Sequence, residues 1–258
     1  MPAYFLDLLQ NPLIRGIVGA IVLASLISLA LLFLIWLERK FIGRLQNRYG
    51  PNRVGKFGIL QMVVDGIKLL VKEDVIPEKA DRPVFTAAPI LGFAIAFLPF
   101  VAIPFSKSLI VSNINIGILY ILAVSSLAVV PTIMAGWGPN NKYNLLGGMR
   151  AAAMMISYEI PAALAVIGVV MLSGSLNMIE IVNAQEKVWF ILPQILGFSV
   201  FIVAAFVEAS RLPFDLSEAE SELVQGWTTE YSGMKFAMLL FAEYIHAVLV
   251  SLLMVILF

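Results

Sequence analysis

Six long apolar runs alternate with polar stretches along this chain, at residues 16–37, 83–105, 114–137, 151–172, 188–207 and 236–258. Each is long enough to cross the hydrocarbon core of a bilayer as a helix, which takes about 20 residues. None alternates apolar and polar positions with a period of two, so helices are expected rather than a barrel. Trp36 closes the first run at an interface. Pro89, Pro99 and Pro104 should kink the second run or loosen its end. The pattern predicts an all-α integral membrane protein with six transmembrane helices.

The polar stretches carry periodicities of their own. In 38–82, Phe41, Ile42 and Leu45 share one helical face, and Arg44 and Arg48 lie on another. A turn at 50–55 follows. Residues 58–74 then predict a second amphipathic helix with a narrow polar stripe of Gln61, Asp65, Lys68 and Lys72. Its apolar face is interrupted too often to span, which suits a helix lying in the membrane interface. Two readings stand side by side: basic anchoring to anionic lipid, or the wall of a cavity with the charges turned inward. The 137–150 segment, rich in Gly and Asn, reads as a loop.

The 208–235 stretch is of another kind. Between Val207 and Tyr231 lie Glu208, Asp215, Glu218, Glu220, Glu222 and Glu230, six of the chain's 17 acids. Ser217 and Glu220 have the spacing of a capping box, predicting a short helix from Glu218 towards Gln225, stopped by Gly226. Glu218 and Glu222 would share a face of it, where like charges favour a shared proton. Glu208 and Arg211 are spaced to pair. Each acid alone fits a solvated loop charge or an acid at a helix N-terminus; six at a membrane boundary do not.

Two more acids lie inside apolar runs. Glu159 sits in the fourth with Pro161 beside it, and Glu243 lies early in the sixth. A carboxylate at the bilayer centre costs about 2.5–3.5 kcal/mol unless it is protonated, paired or hydrated. A hydrogen-bonded structural acid and a proton-relay station both satisfy that condition. Glu243 and His246 form half of a di-iron helix motif, but no second copy exists and no metal site is expected. His246 reads as a packed helix residue.

Composition narrows the chemistry. The chain is 60% hydrophobic and 13% charged, with a mean hydropathy of +0.94. It has no cysteine, which excludes thiolate-held zinc, iron–sulfur clusters and disulfides within it. A single histidine argues against haem ligation. The net charge of zero hides an asymmetry: 14 of the 17 basic residues fall in the first, third and fifth loops, and Arg15, Lys107 and Lys187 on the other side. The positive-inside rule puts the odd loops, and so the acidic loop, on the inner face. The last run ends at Phe258 without a polar cap, so further spans are expected beyond it.

Three stretches resemble one family. They are 36–61 (WLERKFIGRLQNRYGPNRVGKFGILQ) with 65–74 (DGIKLLVKED), 142–161 (KYNLLGGMRAAAMMISYEIP), and 208–231 (EASRLPFDLSEAESELVQGWTTEY) with 242–244 (AEY). In order and over essentially the whole chain they are similar to one membrane-arm component of respiratory complex I, the NADH-quinone oxidoreductase, which mitochondria number as subunit 1. The resemblance implies a place where the hydrophilic arm meets the membrane, with the first span, the following amphipathic helix and the sixth span framing quinone access. By position, Arg39, Arg44, Arg48, Asp65, Lys68 and Lys72 match the polar cavity region of that family. Asp215, Glu218, Glu220 and Glu222 match its acidic loop. Glu159, Glu208 and Glu243 match the buried acids that begin a proton path. The resemblance further implies quinone as substrate, FMN and iron–sulfur clusters in partner subunits, and no cofactor held by this chain. The expected partners are the hydrophilic-arm subunits at the quinone site, neighbouring membrane subunits and lipid, with no nucleic acid. The expected location is the bacterial inner membrane, or the mitochondrial one. The membrane subunit of an ion-translocating hydrogenase is the alternative, and a pure membrane anchor would leave Glu159 and Glu243 without a role.

Overall fold

The computed structural model describes residues 12–106, 110–211, 213–217 and 219–258, with the side chains of 12–15 and 220 set aside. The expectation for Glu218, and for the Glu220 side chain, lies outside the described residues. All regular structure among them is helical. Two compact units divide the chain.

The first unit comprises Met1–Asp74 and Ser232–Ala237. Its helix α1 (Pro12–Leu45) does not stop at the membrane boundary. The first apolar run and the first amphipathic segment are one continuous helix, since nothing between Trp36 and Leu45 breaks it. Leu23, Ile27, Leu31 and Ile35, four apart, form its buried stripe. Ile21, Leu29 and Phe33 on other faces are more than half exposed, as lipid-facing residues are. Phe41 and Leu45 are exposed too, so the expected apolar face there is not buried by protein. Helix α2 (Gln61–Val71) packs on α1 and buries Met62. Trp36 Nε1 donates to the Phe57 carbonyl at 3.3 Å. Lys235 forms an ion pair with Asp74 at 2.8 Å.

The second unit, Val75–Tyr231 with Met238–Phe258, holds most of the helices. Helix α3 (Arg82–Phe97) continues into a 3-10 segment, Leu98–Ala102, where Pro99 lacks the donor an α-helix needs. The third run is broken into α4 (Gly117–Ser126) and α5 (Val129–Trp137). Tighter three-residue bonds from Leu127 and Ala128 bridge the gap just before Pro131. Helix α6 (Lys142–Ser173) begins at Lys142 rather than at 151. Asn141 caps it, its side chain accepting from the Tyr143 N–H at 3.0 Å. The Gly147–Gly148 pair that suggests a loop is inside this helix because small residues are needed there. Gly148 lies against Gly136 of α5, backbone to backbone, where a Cβ would meet the Gly136 Cα at 2.9 Å.

Helix α7 (Met178–Ala184) is short, and α8 (Ile195–Glu208) has 14 residues. The expected fifth span from 188 is helical only after Pro193. With a rise of about 1.5 Å per residue, α8 is shorter than a hydrocarbon core of about 30 Å. Helix α9 (Glu220–Leu223) replaces the longer helix expected in the acidic loop. Its capping box is not formed: no side chain caps it, and the buried Ser217 hydroxyl has no hydrogen-bond partner among the described residues. A 3-10 turn at Gly226–Thr228 follows. Helix α10 (Gly233–Leu257) starts in the first unit and lies mainly in the second. Five helical segments among the described residues are thus long and apolar enough to span, and α8 is a shorter sixth.

Candidate functional site

The acidic loop is held down on the start of α6. Three contacts fasten it. The buried Asn144 donates through Nδ2 to the Trp227 carbonyl at 3.1 Å. Asn141, while capping the helix with Oδ1, donates through Nδ2 to Glu230 at 2.6 Å. Arg150 pairs with Glu222 at 2.7 Å, both well exposed. At Gly147 the fit is so close that a Cβ would stand 2.6 Å from the Trp227 nitrogen. Tyr231 stacks on Phe85 with centroids 4.3 Å apart, and its hydroxyl donates to the Ala135 carbonyl at 3.4 Å. Burial pushes the Tyr231 phenol pKa up, so the ring stays neutral.

Glu208 ends α8 where the chain leaves the apolar layer. Its carboxylate meets His246 of α10, Oε1 to Nε2, at 3.2 Å, with both side chains more than four-fifths buried. The spacing of Glu208 and Arg211 suggests that pair instead; the structure places Arg211 over the Tyr244 ring, 4.5 Å from its centroid. Glu208, Glu243 and His246 open onto a common cavity of about 70 Å³, together with Ser125, Thr132 and Trp227. Ile95, Pro99 and Leu239 supply apolar wall. A single water needs roughly 10–15 Å³ of such space, so several fit beside the carboxylates. Glu159, half-buried on α6, is within electrostatic reach of Glu208 and of the Ser126 hydroxyl. The structure therefore brings Glu159, Glu208 and Glu243 into one neighbourhood.

The other candidates are spread more widely. Asp215 is half-buried in the turn before α9, its carbonyl accepting from the Ala219 N–H at 3.1 Å. Glu222 is exposed and bound to Arg150, outside the cavity lining. In the first unit, Arg39 pairs with Asp65 at 2.7 Å, and Gln61 donates to the other Asp65 oxygen at 2.9 Å. Gln61 and Asp65 thus share a face of α2, as their spacing predicts. Arg44, Arg48, Lys68 and Lys72 are exposed, and Arg48 donates to Gln46 at 2.7 Å.

The sequence patterns do not single out His246, Asn141, Asn144 or Arg150 as site residues. His246 and Glu208 lie on different helices, and no local period links them. The Asn141 cap is legible in principle, since Asn directly before a helix is a start signal.

Among the described residues no cluster of His, Asp and Glu is arranged to hold a metal ion. What remains is a multi-pass helical membrane protein with carboxylates gathered around an internal cavity. Known proteins name the class. Residues 18–258 match the NADH dehydrogenase family. A Dehalococcoides mccartyi protein, named as the H subunit of NADH-quinone oxidoreductase, is 53% identical over 238 residues, 92% of this chain and 67% of that protein. Its namesake in Brevibacillus brevis is 50% identical over 242 residues, 94% of this chain and 72% of the relative. In Bacillus cytotoxicus the figures are 53% over 222 residues, 86% and 67%. The chain belongs to this family of NADH-quinone oxidoreductase H subunits, whose members are named as one component of a multisubunit oxidoreductase. It spans about two thirds of the length of these relatives. Its apolar helices and bacterial relatives make it a multi-pass protein of the bacterial inner membrane.

Proposed function

We propose that this chain, as a membrane subunit of complex I, receives quinone and converts its reduction into proton movement. The chain holds no thiol, and electrons reach the quinone from clusters in the hydrophilic-arm subunits. In the first unit, Arg39, Arg44, Arg48, Asp65, Lys68 and Lys72 line the path of the quinone headgroup. The Arg39–Asp65–Gln61 network sets the orientation of that polar stripe, with Arg39 already neutralised by its partner. In the second unit, Asp215, Glu218, Glu220 and Glu222 form the loop that senses the charge of reduced quinone. Glu208, Glu159 and Glu243 pass the proton onward.

The observation that carries this reading is the cavity shared by Glu208 and Glu243, with Glu159 in reach of Glu208. Carboxylates in an apolar layer persist where they exchange protons or are hydrated, and the cavity offers both a water-sized space and more than one acid. The groups act as relays and electrostatic couplers, not nucleophiles. Neighbouring membrane subunits receive the proton, and lipid surrounds the apolar faces. A quinone photoaffinity label on the intact complex tests the first half of the proposal. Labelled peptides within 36–72 or 208–244 are expected; labelling of this chain confined to residues outside both stretches contradicts it.

A further inference from the structure

The chain has one histidine, and it lies at the carboxylate cavity. His246 is 9% exposed, sits one turn after Glu243 on α10, and directs Nε2 at Glu208 of α8 across 3.2 Å. That contact is an ion-pair distance without hydrogen-bond alignment, and Nε2 has no hydrogen-bond partner among the described residues. A packed structural histidine would satisfy that nitrogen, because a buried polar atom left unbonded costs about 1–3 kcal/mol. Here it faces an acid and a space large enough for water. The charged groups around it are Glu208 from α8 and Glu243 from its own helix, with Glu159 of α6 in reach of Glu208 and Arg211 over the ring of Tyr244 on α10.

We propose that His246 is the positioning and proton-exchanging partner of Glu208, resting on the reading of Glu208 as a relay acid. The proton leaves the Glu208 carboxyl for Nε2, giving a carboxylate beside an imidazolium, and returns from Nε2 to the same oxygen. No charge is created in the apolar layer without its counter-charge, which is what lets the acid ionise there. Imidazole suits the task because a ring nitrogen can accept a proton and later donate it back without moving the ring. Glu243, one turn away on the same helix, is positioned to exchange with the pair through the cavity.

The test uses the intact complex in inverted vesicles, comparing wild type with His246→Gln, Glu208→Gln and the double variant. His246→Asn serves if His246→Gln does not assemble. Three readouts are taken: NADH-driven quinone turnover, protons pumped per electron, and the infrared difference spectrum on quinone reduction. Reduction of an artificial acceptor that bypasses quinone reports assembly. His246→Gln is expected to lower coupled turnover about fivefold. The double variant should be no slower than Glu208→Gln, and an imidazole band should vanish in both single variants. An impaired Glu208→Gln beside a wild-type His246→Gln overturns the pairing alone. So do effects that multiply in the double variant, or an imidazole band unchanged in His246→Gln. Wild-type pumping in Glu208→Gln overturns the relay reading and the pairing with it.

Discussion

Gly147→Ala isolates the docking of the acidic loop on α6. In a free helix this change would stabilise by about 0.5–1 kcal/mol, because alanine loses less backbone freedom. Here the new methyl would lie 2.6 Å from the Trp227 nitrogen and 2.7 Å from the Gly226 carbonyl carbon, both backbone atoms that cannot rotate away. Overpacking of this kind costs about 1–3 kcal/mol. Parting the two backbones also stretches the Asn144–Trp227 bond, worth about 0.5–1.5 kcal/mol. The balance is about 1–3 kcal/mol against the docked loop, a roughly 5- to 150-fold larger open population. Hydrogen–deuterium exchange on the intact complex measures it as lost protection in peptides covering 222–231. Gly66→Ala is the control: a Cβ there meets nothing within 4 Å, so that variant keeps wild-type protection. Unchanged protection in Gly147→Ala would refute the close docking.

Other substitutions separate the anchors by size. Asn141→Ala removes a helix cap and the Glu230 contact together and should cost about 1–2 kcal/mol in thermal unfolding of the complex. Arg150→Gln should change stability by less than about 1 kcal/mol, since the pair with Glu222 is exposed; a larger loss in the same melt would show an unrecognised role. Tyr231→Phe should cost about 0.5 kcal/mol at pH 7, the low end for a hydrogen bond, since the bond to the Ala135 carbonyl is long at 3.4 Å. Burial raises the phenol pKa in the fold above its value of about 10 in the unfolded chain, so its contribution is intact below that pH and is lost above it. Melting curves above about pH 10 should therefore favour Tyr231→Phe over wild type. Asp65→Asn should raise the KM for quinone while leaving reduction of the bypassing acceptor unchanged, because it releases Arg39 from its partner.

Much of this architecture is legible in the apolar runs, because helix length and hydropathy act locally. The failures arise where a distant contact overrides a local rule. Gly147 and Gly148 signal a loop, yet they stay helical since only a missing side chain lets α5 and the acidic loop come so close. Pro193 marks the true start of α8, and the apolar residues before it conceal that. The spacing of Ser217 and Glu220 fits a capping box, but Ser217 is buried and the helix starts without it. At the site, Glu159 and Glu243 stand out as acids in apolar runs. Their convergence on Glu208, and its pairing with His246, come from helix packing that no sequence period encodes.

The central claim is that the buried carboxylates carry the proton. It is tested most directly by the number of protons pumped per electron in vesicles bearing the complex with Glu208→Gln or Glu159→Gln, assembly being checked by the bypassing acceptor. The account predicts full assembly with quinone reduction and pumping both reduced. Wild-type pumping in both variants would contradict it.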